Sequence, residues 1–213
     1  MKQNKELNNY KAWILDFDGT LYRQLPLRIC MIIMIIKYYI VRPHKISEIF
    51  LIRDYRRLRE KLFAAHTGDF YKQQLSILAE KYKMPIQNIE NLIHLWLVEK
   101  PLPFIKMWQR RKFLLLIQHY QKQGVKMFIY SDNPINEKIS ALDFKPDYMF
   151  FSDDDIIKCM KPNPNGLKNI LKKFNLKSSE VLYIGDRDDR DKICAEQANV
   201  DYLDVRNFER SYC

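Results

Sequence analysis

Apolar residues follow two different patterns in this chain. Before residue 22 and after residue 103, short apolar runs alternate with stretches of helical periodicity. The runs predict strands at 12–17, 125–130, 148–151, 181–184 and 202–205. The stretches predict helices at 104–123, from Pro134, at 164–174 and up to Ala198. This alternation is typical of an α/β fold, in which helices flank a parallel sheet.

Between residues 22 and 103 every pattern that we recognise is helical. Two apolar stripes have helical spacing, one at positions 51, 55, 58 and 62 and the other at positions 89, 92, 93 and 96. Met84-Pro85 separates a helix at 75–82 from the next one. Because the strand at 12–17 must join the later strands, we predict a core made of 1–21 and 104–213. Residues 22–103 then form an all-helical insertion at the carboxyl edge of the sheet, where open α/β sheets bind ligands.

The composition allows a sizeable folded core. The chain has 213 residues, of which 47% are hydrophobic and three are Trp. Its formal charge of +10 is uneven, since residues 22–103 hold 14 Lys and Arg against 7 Asp and Glu, and the rest holds 22 against 19. Nucleic-acid binding fits a basic chain, but no basic-aromatic motif supports it, so we expect no nucleic-acid partner.

Cysteine and histidine spacing gives neither a zinc site nor a disulfide framework. The four cysteines, at 30, 159, 194 and 213, lie far apart, and no CxxC pair occurs. The histidines lack ligand spacing and are expected to be structural or exposed: His44, His66, His94 and His119. The first eleven residues are polar, without a signal-peptide stretch, and no run reaches about 18 apolar residues. We therefore expect a cytoplasmic protein with reduced thiols.

The sequence Asp16-Phe17-Asp18-Gly19-Thr20 directly follows the first apolar run. Two carboxylates one residue apart lie on the same side of a strand that is ending, where a turn can direct them towards a ligand. Such a pair suits Mg²⁺, which takes carboxylate oxygens, and it also supplies a carboxylate nucleophile. An Asp-Gly turn that only ends a strand has the same residues.

Two further polar signals follow later strands. Ser131, followed by Asp132, ends the second strand, where its hydroxyl and the next backbone N–H groups can hold a phosphate oxygen. A serine at such a position is also a common helix N-cap. Lys161 precedes a helix and can neutralise phosphate charge, although most lysines simply face solvent.

An acidic run follows the fourth strand. It contains Asp186, Asp188, Asp189 and Asp191. So many carboxylates repel one another unless a cation or a lysine offsets some of their charge. For Asp188 and Asp189 we favour a solvated loop, whereas Asp186 and Asp191 are candidates for a metal site.

Together these segments resemble the haloacid dehalogenase (HAD) superfamily and match its four motifs in order. The matching residues are Asp16 and Asp18 in the first motif, Ser131 in the second, Lys161 in the third, and Asp186 with Asp191 in the fourth. The resemblance covers the whole α/β part and implies a Rossmann-like HAD core. The helical insertion corresponds to the superfamily's cap domain, which would close over the site and exclude water.

The resemblance implies a Mg²⁺-dependent phosphatase that forms an aspartyl-phosphate. Asp16 would attack phosphorus, and Asp18 would protonate the leaving group and then activate water. Mg²⁺ would be held by the Asp16 carboxylate, the Asp18 backbone carbonyl and the Asp186 carboxylate, with Asp191 in support. The dehalogenases lack the second acid, so Asp18 argues against carbon–halogen chemistry.

The same resemblance assigns substrate binding to the second and third motifs. Ser131 and Lys161 would bind the phosphoryl oxygens of a small phosphorylated substrate, and Asp132 beside them is also expected in the substrate-binding site. Asp132 departs from the superfamily, in which asparagine is commonest after the serine, and it brings another negative charge near the phosphate position. Asn163 and Asn165 vary the usual Lys-Pro-Asp-Pro pattern outside the chemical roles.

Residues 27–41 are apolar nearly all round. The ordinary interpretation is a central cap helix that its neighbours bury. The alternative is a surface that touches a membrane, a lipid-bearing substrate or a partner, which would make the protein membrane-proximal. Four arginines between residues 53 and 59 would then favour anionic lipid, although they also fit a solvated helix face.

Two alternatives to a phosphatase stay open. A phosphotransferase or phosphomutase uses the same residues and passes the phosphoryl group to a sugar instead of water. The second alternative is a HAD-like protein that binds membranes or partners and has little catalytic turnover. The complete motifs argue against this second alternative. Neither the substrate nor the oligomeric state can be predicted from the sequence.

Overall fold

A computed structural model describes residues 7–65 and 70–212, so His66 and Cys213 lie outside the described residues. Within them, five parallel strands form one sheet in the order β3-β2-β1-β4-β5. The strands are β1 (Ala12–Leu15), β2 (Lys126–Ser131), β3 (Tyr148–Phe151), β4 (Val181–Gly185) and β5 (Asp201–Asp204). The α-helices are α1 (Gln24–Ile40), α2 (Ser47–Ala65), α3 (Phe70–Tyr82), α4 (Ile86–His94), α5 (Leu102–Met107), α6 (Arg111–Lys122), α7 (Asn165–Lys173), α8 (Ile193–Gln197) and α9 (Val205–Tyr212).

Helices cover both faces of the sheet because β1 presents alternate side chains to its two sides. On one face, Trp13 contacts Tyr120 of α6 and Phe208 of α9, with ring centroids 4.7 and 5.7 Å apart. On the other face, Ile14 belongs to a buried cluster with Ile170 and other residues of α7 and α8. The predicted α/β fold is confirmed.

The central strand ends within two residues of the ends of its two neighbours. Leu15, the last residue of β1, lies beside Ile129 of β2 and Ile184 of β4. The next backbone N–H, that of Asp16, donates to the Ile184 carbonyl oxygen at 2.9 Å. Because parallel strands end at one edge of a sheet, the polar segments that begin at Asp16 and Asp186 start side by side.

The chain packs as two compact units. The first contains the sheet, runs through Arg23 and resumes at Gln109, and the second comprises Gln24–Trp108. The second unit has its own buried cluster, to which both predicted apolar stripes contribute, with Leu51 of α2 and Ile89 of α4 fully buried. No strand occurs among its described residues, so the helical insertion is confirmed. The roles of 1–21 with 104–213 as catalytic core and of 22–103 as cap stay predictions.

The prediction of one helix at 104–123 is wrong. Helices α5 and α6 are separate, and Gln109 and Arg110 lie in the break between them. Gln109 pairs with Tyr22 in an isolated antiparallel bridge, and the Arg110 N–H donates to the Leu21 carbonyl oxygen at 2.9 Å. These partners are far away in sequence, so the helical periodicity gives no sign of the break.

Two other helix predictions also change. The segment after Pro134 forms a 3₁₀ turn at Lys138–Ala141 instead of a short α-helix. The helix predicted up to Ala198 begins as a wide π-type turn at Asp188–Lys192 and continues as α8. This wide turn contains the second acid of the fourth motif.

Helix α1 is not a buried central helix, so that interpretation of residues 27–41 is wrong. Of its side chains only Leu27 and Tyr39 are buried. Six apolar side chains are between 48% and 74% exposed: Leu25, Ile29, Ile32, Ile33, Ile36 and Ile40. Among the described helices no single one has the length and apolarity to cross a membrane; Gln24–Ile40 and Pro43–Phe63 meet that test only as a pair, bent by 118°.

Candidate active site

Asp16 lies buried at the carboxyl end of the central strand. Its Oδ1 accepts a hydrogen bond from the Lys161 Nζ at 2.5 Å, and its Oδ2 accepts one from the Thr20 hydroxyl at 3.1 Å. Thr20 comes from the turn after β1, and Lys161 comes from a distant loop. The Asp16 carboxylate is therefore held in one orientation by two separate segments, which suits a nucleophile.

Lys161, in the third motif, contacts residues of the other three motif segments. Its buried Nζ donates to Asp16, to Asp191 Oδ1 at 2.6 Å and to the Tyr183 hydroxyl at 3.2 Å. Its backbone N–H donates to Asp132 Oδ1 at 2.9 Å. A buried ammonium group is stable only when it is paired and hydrogen-bonded, and here two carboxylates and a hydroxyl meet that need.

Three carboxylates gather beside this lysine. Asp16, Asp186 and Asp191 each offer an oxygen, and these atoms all lie within 4.8 Å of one another. Asp191 Oδ2 accepts the backbone N–H groups of Asp186 and Arg187, which fixes it in place. Asp186 Oδ1 is buried and has no hydrogen-bond partner among the described residues. A buried carboxylate oxygen that lacks a partner, next to two more carboxylates, fits a divalent cation such as Mg²⁺.

Glycines allow the carboxylates to approach the backbone. Gly19 has a φ of +101°, and a Cβ there would lie 2.2 Å from Asp186 Oδ2. A Cβ on Gly185 would lie 2.6 Å from Asp191 side-chain atoms. Any larger residue at either position would displace a carboxylate of the cluster.

The pKa values reflect an excess of negative charge. Burial raises the pKa of Asp16 well above its usual range, and the charges of Asp191 and Asp186 add to this effect against that of Lys161. Burial, and then the charge of Asp191, raises the pKa of Asp186 to about 6. Burial lowers the pKa of Lys161, but the charges of Asp16 and Asp191 outweigh it and raise that pKa overall. One lysine therefore does not neutralise the cluster, and a cation would.

The Asp18 carboxylate is not one of the three whose oxygens meet within 4.8 Å among the described residues. Its Oδ1 accepts a hydrogen bond from the Tyr22 hydroxyl at 2.5 Å and lies 3.8 Å from Lys138 Nζ. Its side chain is partly exposed. These contacts suit a group that exchanges protons with a substrate or water. The prediction that the Asp18 backbone carbonyl binds metal stays a prediction.

The second motif is tied to the other loops. Ser131 is buried at the end of β2, and its Oγ accepts a hydrogen bond from the Asn133 N–H at 3.2 Å. The Asp132 carboxylate accepts the Lys161 N–H and pairs with Arg190 at 3.3 Å. Asp132 thus holds the third and fourth motif loops against its own. Substrate binding by Ser131 and Asp132 stays a prediction.

Several side chains that contact the motif residues are absent from the sequence prediction. Thr20 and Tyr22 each follow the acid that they contact by four residues, and this shared spacing was a usable signal. Tyr183 donates to Asp191 from within β4. The fold brings Lys138 to Asp18 and Arg190 to Asp132. No local pattern marks these last three.

The prediction of a solvated loop at Asp188 and Asp189 is confirmed. Asp188 and Asp189 are exposed, and Asp189 pairs with Arg187 at 2.6 Å, as expected of a solvated loop. His94 is exposed in part and pairs with Glu99 at 2.9 Å.

Comparison by sequence identifies a family. The profile of haloacid dehalogenase-like hydrolases matches residues 10–199, which include all four motifs. Comparison with curated proteins gives no match.

Solved structures share the fold at low sequence identity. A 2-haloacid dehalogenase from Pseudomonas syringae pv. Tomato DC3000 is 14% identical with a TM-score of 0.60, over 91% of this chain and 85% of that one. The magnesium-bound HAD-hydrolase YfnB from Bacillus subtilis is 16% identical with a TM-score of 0.58, over 91% and 87%. A predicted phosphoglycolate phosphatase from Haemophilus somnus 129pt is 16% identical with a TM-score of 0.51, over 91% and 84%. Because the family profile spans most of the sequence and these structures share its fold, the chain belongs to the haloacid dehalogenase-like hydrolases.

Proposed function

We propose that the chain is a Mg²⁺-dependent phosphatase that hydrolyses a small phosphate monoester through an aspartyl-phosphate on Asp16. The observation that carries this proposal is the carboxylate cluster beside Lys161, with its unpartnered Asp186 oxygen. A phosphate group and a carboxylate nucleophile repel each other, so a phosphatase of this design needs positive charge at Asp16 beyond one lysine. The separate acid at Asp18 supports phosphoryl chemistry over carbon–halogen cleavage.

The metal ligands in this proposal are the Asp16 and Asp186 carboxylates and the Asp18 backbone carbonyl, with Asp191 in support. When bound, Mg²⁺ would screen the charge between Asp16 and the phosphoryl oxygens. The magnesium in the YfnB structure gives this choice of ion further support.

In the first step, an Asp16 carboxylate oxygen bonds to phosphorus while the bond from phosphorus to the ester oxygen breaks. Asp18, in its acid form, gives its proton to that leaving oxygen, so the alcohol departs neutral. Tyr22 and Lys138 orient Asp18 for this transfer. Ser131 and Lys161 bind the phosphoryl oxygens as negative charge shifts onto them.

In the second step, the Asp18 carboxylate takes a proton from water, and the water oxygen bonds to phosphorus. The bond between phosphorus and Asp16 breaks, which releases inorganic phosphate and restores the Asp16 carboxylate. Asp18 ends in its acid form, ready for the next substrate. The same groups therefore serve both steps without any net change.

The test is hydrolysis of an aryl phosphate by the purified chain, in Mg²⁺ and in chelator. We expect activity that requires Mg²⁺ and is lost in Asp16→Asn and Asp186→Asn. Asp189→Asn, which changes an exposed acid in the same loop, should keep it. Product analysis with a sugar acceptor separates hydrolysis from phosphoryl transfer. Activity that persists in chelator, or halide release from a 2-haloacid in place of phosphate release, would refute the proposal.

A further inference from the structure

The exposed side of α1 is a continuous apolar stripe. Its members recur every three or four positions and so lie along one side of the helix. They are Leu25, Ile29, Ile32, Ile33, Ile36 and Ile40, which we call the α1 stripe. A contiguous apolar surface of this kind is typical of a site that binds a membrane or another molecule.

The other side of α1 packs into its own unit. Tyr39 is buried and stacks on Trp96, with ring centroids 5.7 Å apart, and its hydroxyl donates to Glu48 at 3.0 Å. Met34 and Ile35 pack against the same buried cluster. These contacts hold the helix in place, so the fold itself directs the α1 stripe outward.

Positive charge borders the α1 stripe. Helix α1 contains no acidic residue, and its two basic residues are Arg28 and Lys37, both exposed. At 3.6 residues per turn, they lie about a quarter-turn from the middle of the stripe, one on each side. Long basic side chains at such positions can reach lipid headgroups while the apolar residues between them enter the boundary with the acyl chains.

The following helix extends this positive character. Residues 24–57 hold seven Lys and Arg and two acids. Both acids are engaged, because Glu48 accepts the Tyr39 hydroxyl and Asp54 accepts Lys81 Nζ at 2.6 Å and the Tyr82 hydroxyl at 2.8 Å. The segment that begins with α1 is therefore both apolar and cationic, which complements an anionic lipid headgroup layer.

We infer that the α1 stripe docks on a membrane surface that contains anionic phospholipid, with α1 lying in the headgroup plane. The isoleucine side chains move from water into the boundary between the headgroups and the acyl chains, and Arg28 and Lys37 contact lipid phosphates. A second copy of this chain would also cover an apolar stripe, but two identical faces would bring their cationic borders together. The inference does not depend on the phosphatase proposal.

The test is co-sedimentation of the full chain with vesicles of neutral phospholipid, with and without anionic phospholipid, at low and high salt. We expect binding only to the anionic vesicles, weaker at high salt because exposed charges are screened. The double variant Ile32→Ser with Ile36→Ser should lower vesicle partitioning by about tenfold or more. Arg28→Gln with Lys37→Gln should weaken binding and flatten its salt dependence.

The matched control is Leu115→Ser, which removes an exposed apolar side chain from α6 in the other unit. It should bind vesicles as the unchanged chain does, and circular dichroism and thermal denaturation check that every variant is folded. Three results would overturn the inference. The first is that the chain does not bind anionic vesicles at low salt. The second is that the double isoleucine variant binds vesicles as well as the unchanged chain does. The third is that the chain forms a dimer that the double isoleucine change dissociates, while it binds no vesicles.

Discussion

Replacing Asp186 by asparagine should stabilise the metal-free protein. Its pKa is about 6, against an ordinary value of 3.8, because burial and the charge of Asp191 oppose its ionisation. A folded-state pKa raised in this way means that the ionised Asp186 destabilises the fold at pH values above about 6. Asparagine has nearly the same shape as aspartate and no charge. It therefore removes the electrostatic cost of the ionised carboxylate and still fits beside Gly19.

The size of the effect follows from the pKa difference. A rise of this size corresponds to about 3 kcal/mol at pH 7.5 before solvent screening is considered. Because Asp186 is only half-buried, we expect about 1–2 kcal/mol. For a chain of this length, that raises Tm by about 2–8 °C.

The assay is thermal denaturation in chelator at several pH values. The gain of Asp186→Asn over the unchanged chain should be full at pH 7.5 and should disappear as the pH falls below about 4, where Asp186 is protonated in both states. Added Mg²⁺ should raise Tm of the unchanged chain and have less effect on the variant. Asp189→Asn should show no gain in chelator, since Asp189 pairs with Arg187. A variant that is less stable than the unchanged chain at pH 7.5 in chelator would refute this reasoning.

Three further predictions concern single contacts. Gly19→Ala should lower stability and activity more than Gly124→Ala, because both glycines have positive φ but only a Cβ at Gly19 would collide with Asp186. Thermal denaturation and aryl phosphate hydrolysis measure the two losses. Equal losses in the two variants would contradict the role given to the collision with Asp186. Tyr22→Phe should lower kcat by about tenfold, since Asp18 loses its hydroxyl donor, and an unchanged kcat would remove Tyr22 from the site. Asp54→Asn should lower Tm at pH 7, because hydrogen bonds from Lys81 and Tyr82 lower the pKa of Asp54 to about 2. This loss of Tm should shrink as the pH falls towards 2. A loss of Tm that does not depend on pH would show that the ionised form of Asp54 is not its source.

The strands and the motif residues could be predicted because both depend on local sequence. Short apolar runs predict β1, β2 and β4, and the polar residues that follow each run lie at the same edge of the sheet. Strand order then brings Asp16 and Asp186 together without further information. Lys161 is placed beside them by the fold, and its charge is the reason that it pairs with carboxylates there.

The remaining features depend on contacts between distant segments. The break between α5 and α6 arises from the pairing of Arg110 with Leu21, which no periodicity reveals. The exposure of Ile32 and Ile36 depends on which side of α1 its neighbours cover, and an all-apolar helix does not specify that side. Helix α9 buries Phe208 against Trp13, although the last element predicted from the sequence is the strand at 202–205.

The most direct test of the proposed chemistry is to trap the phosphoryl group on Asp16. The chain is quenched with acid during turnover of an aryl phosphate in Mg²⁺ and reduced with borohydride, which converts an acyl phosphate to homoserine, and the peptides are then analysed by mass spectrometry. The account predicts homoserine at position 16 in the unchanged chain, and none in chelator or without substrate. Rapid phosphate release with no modification at this position, or modification of another residue, would contradict it.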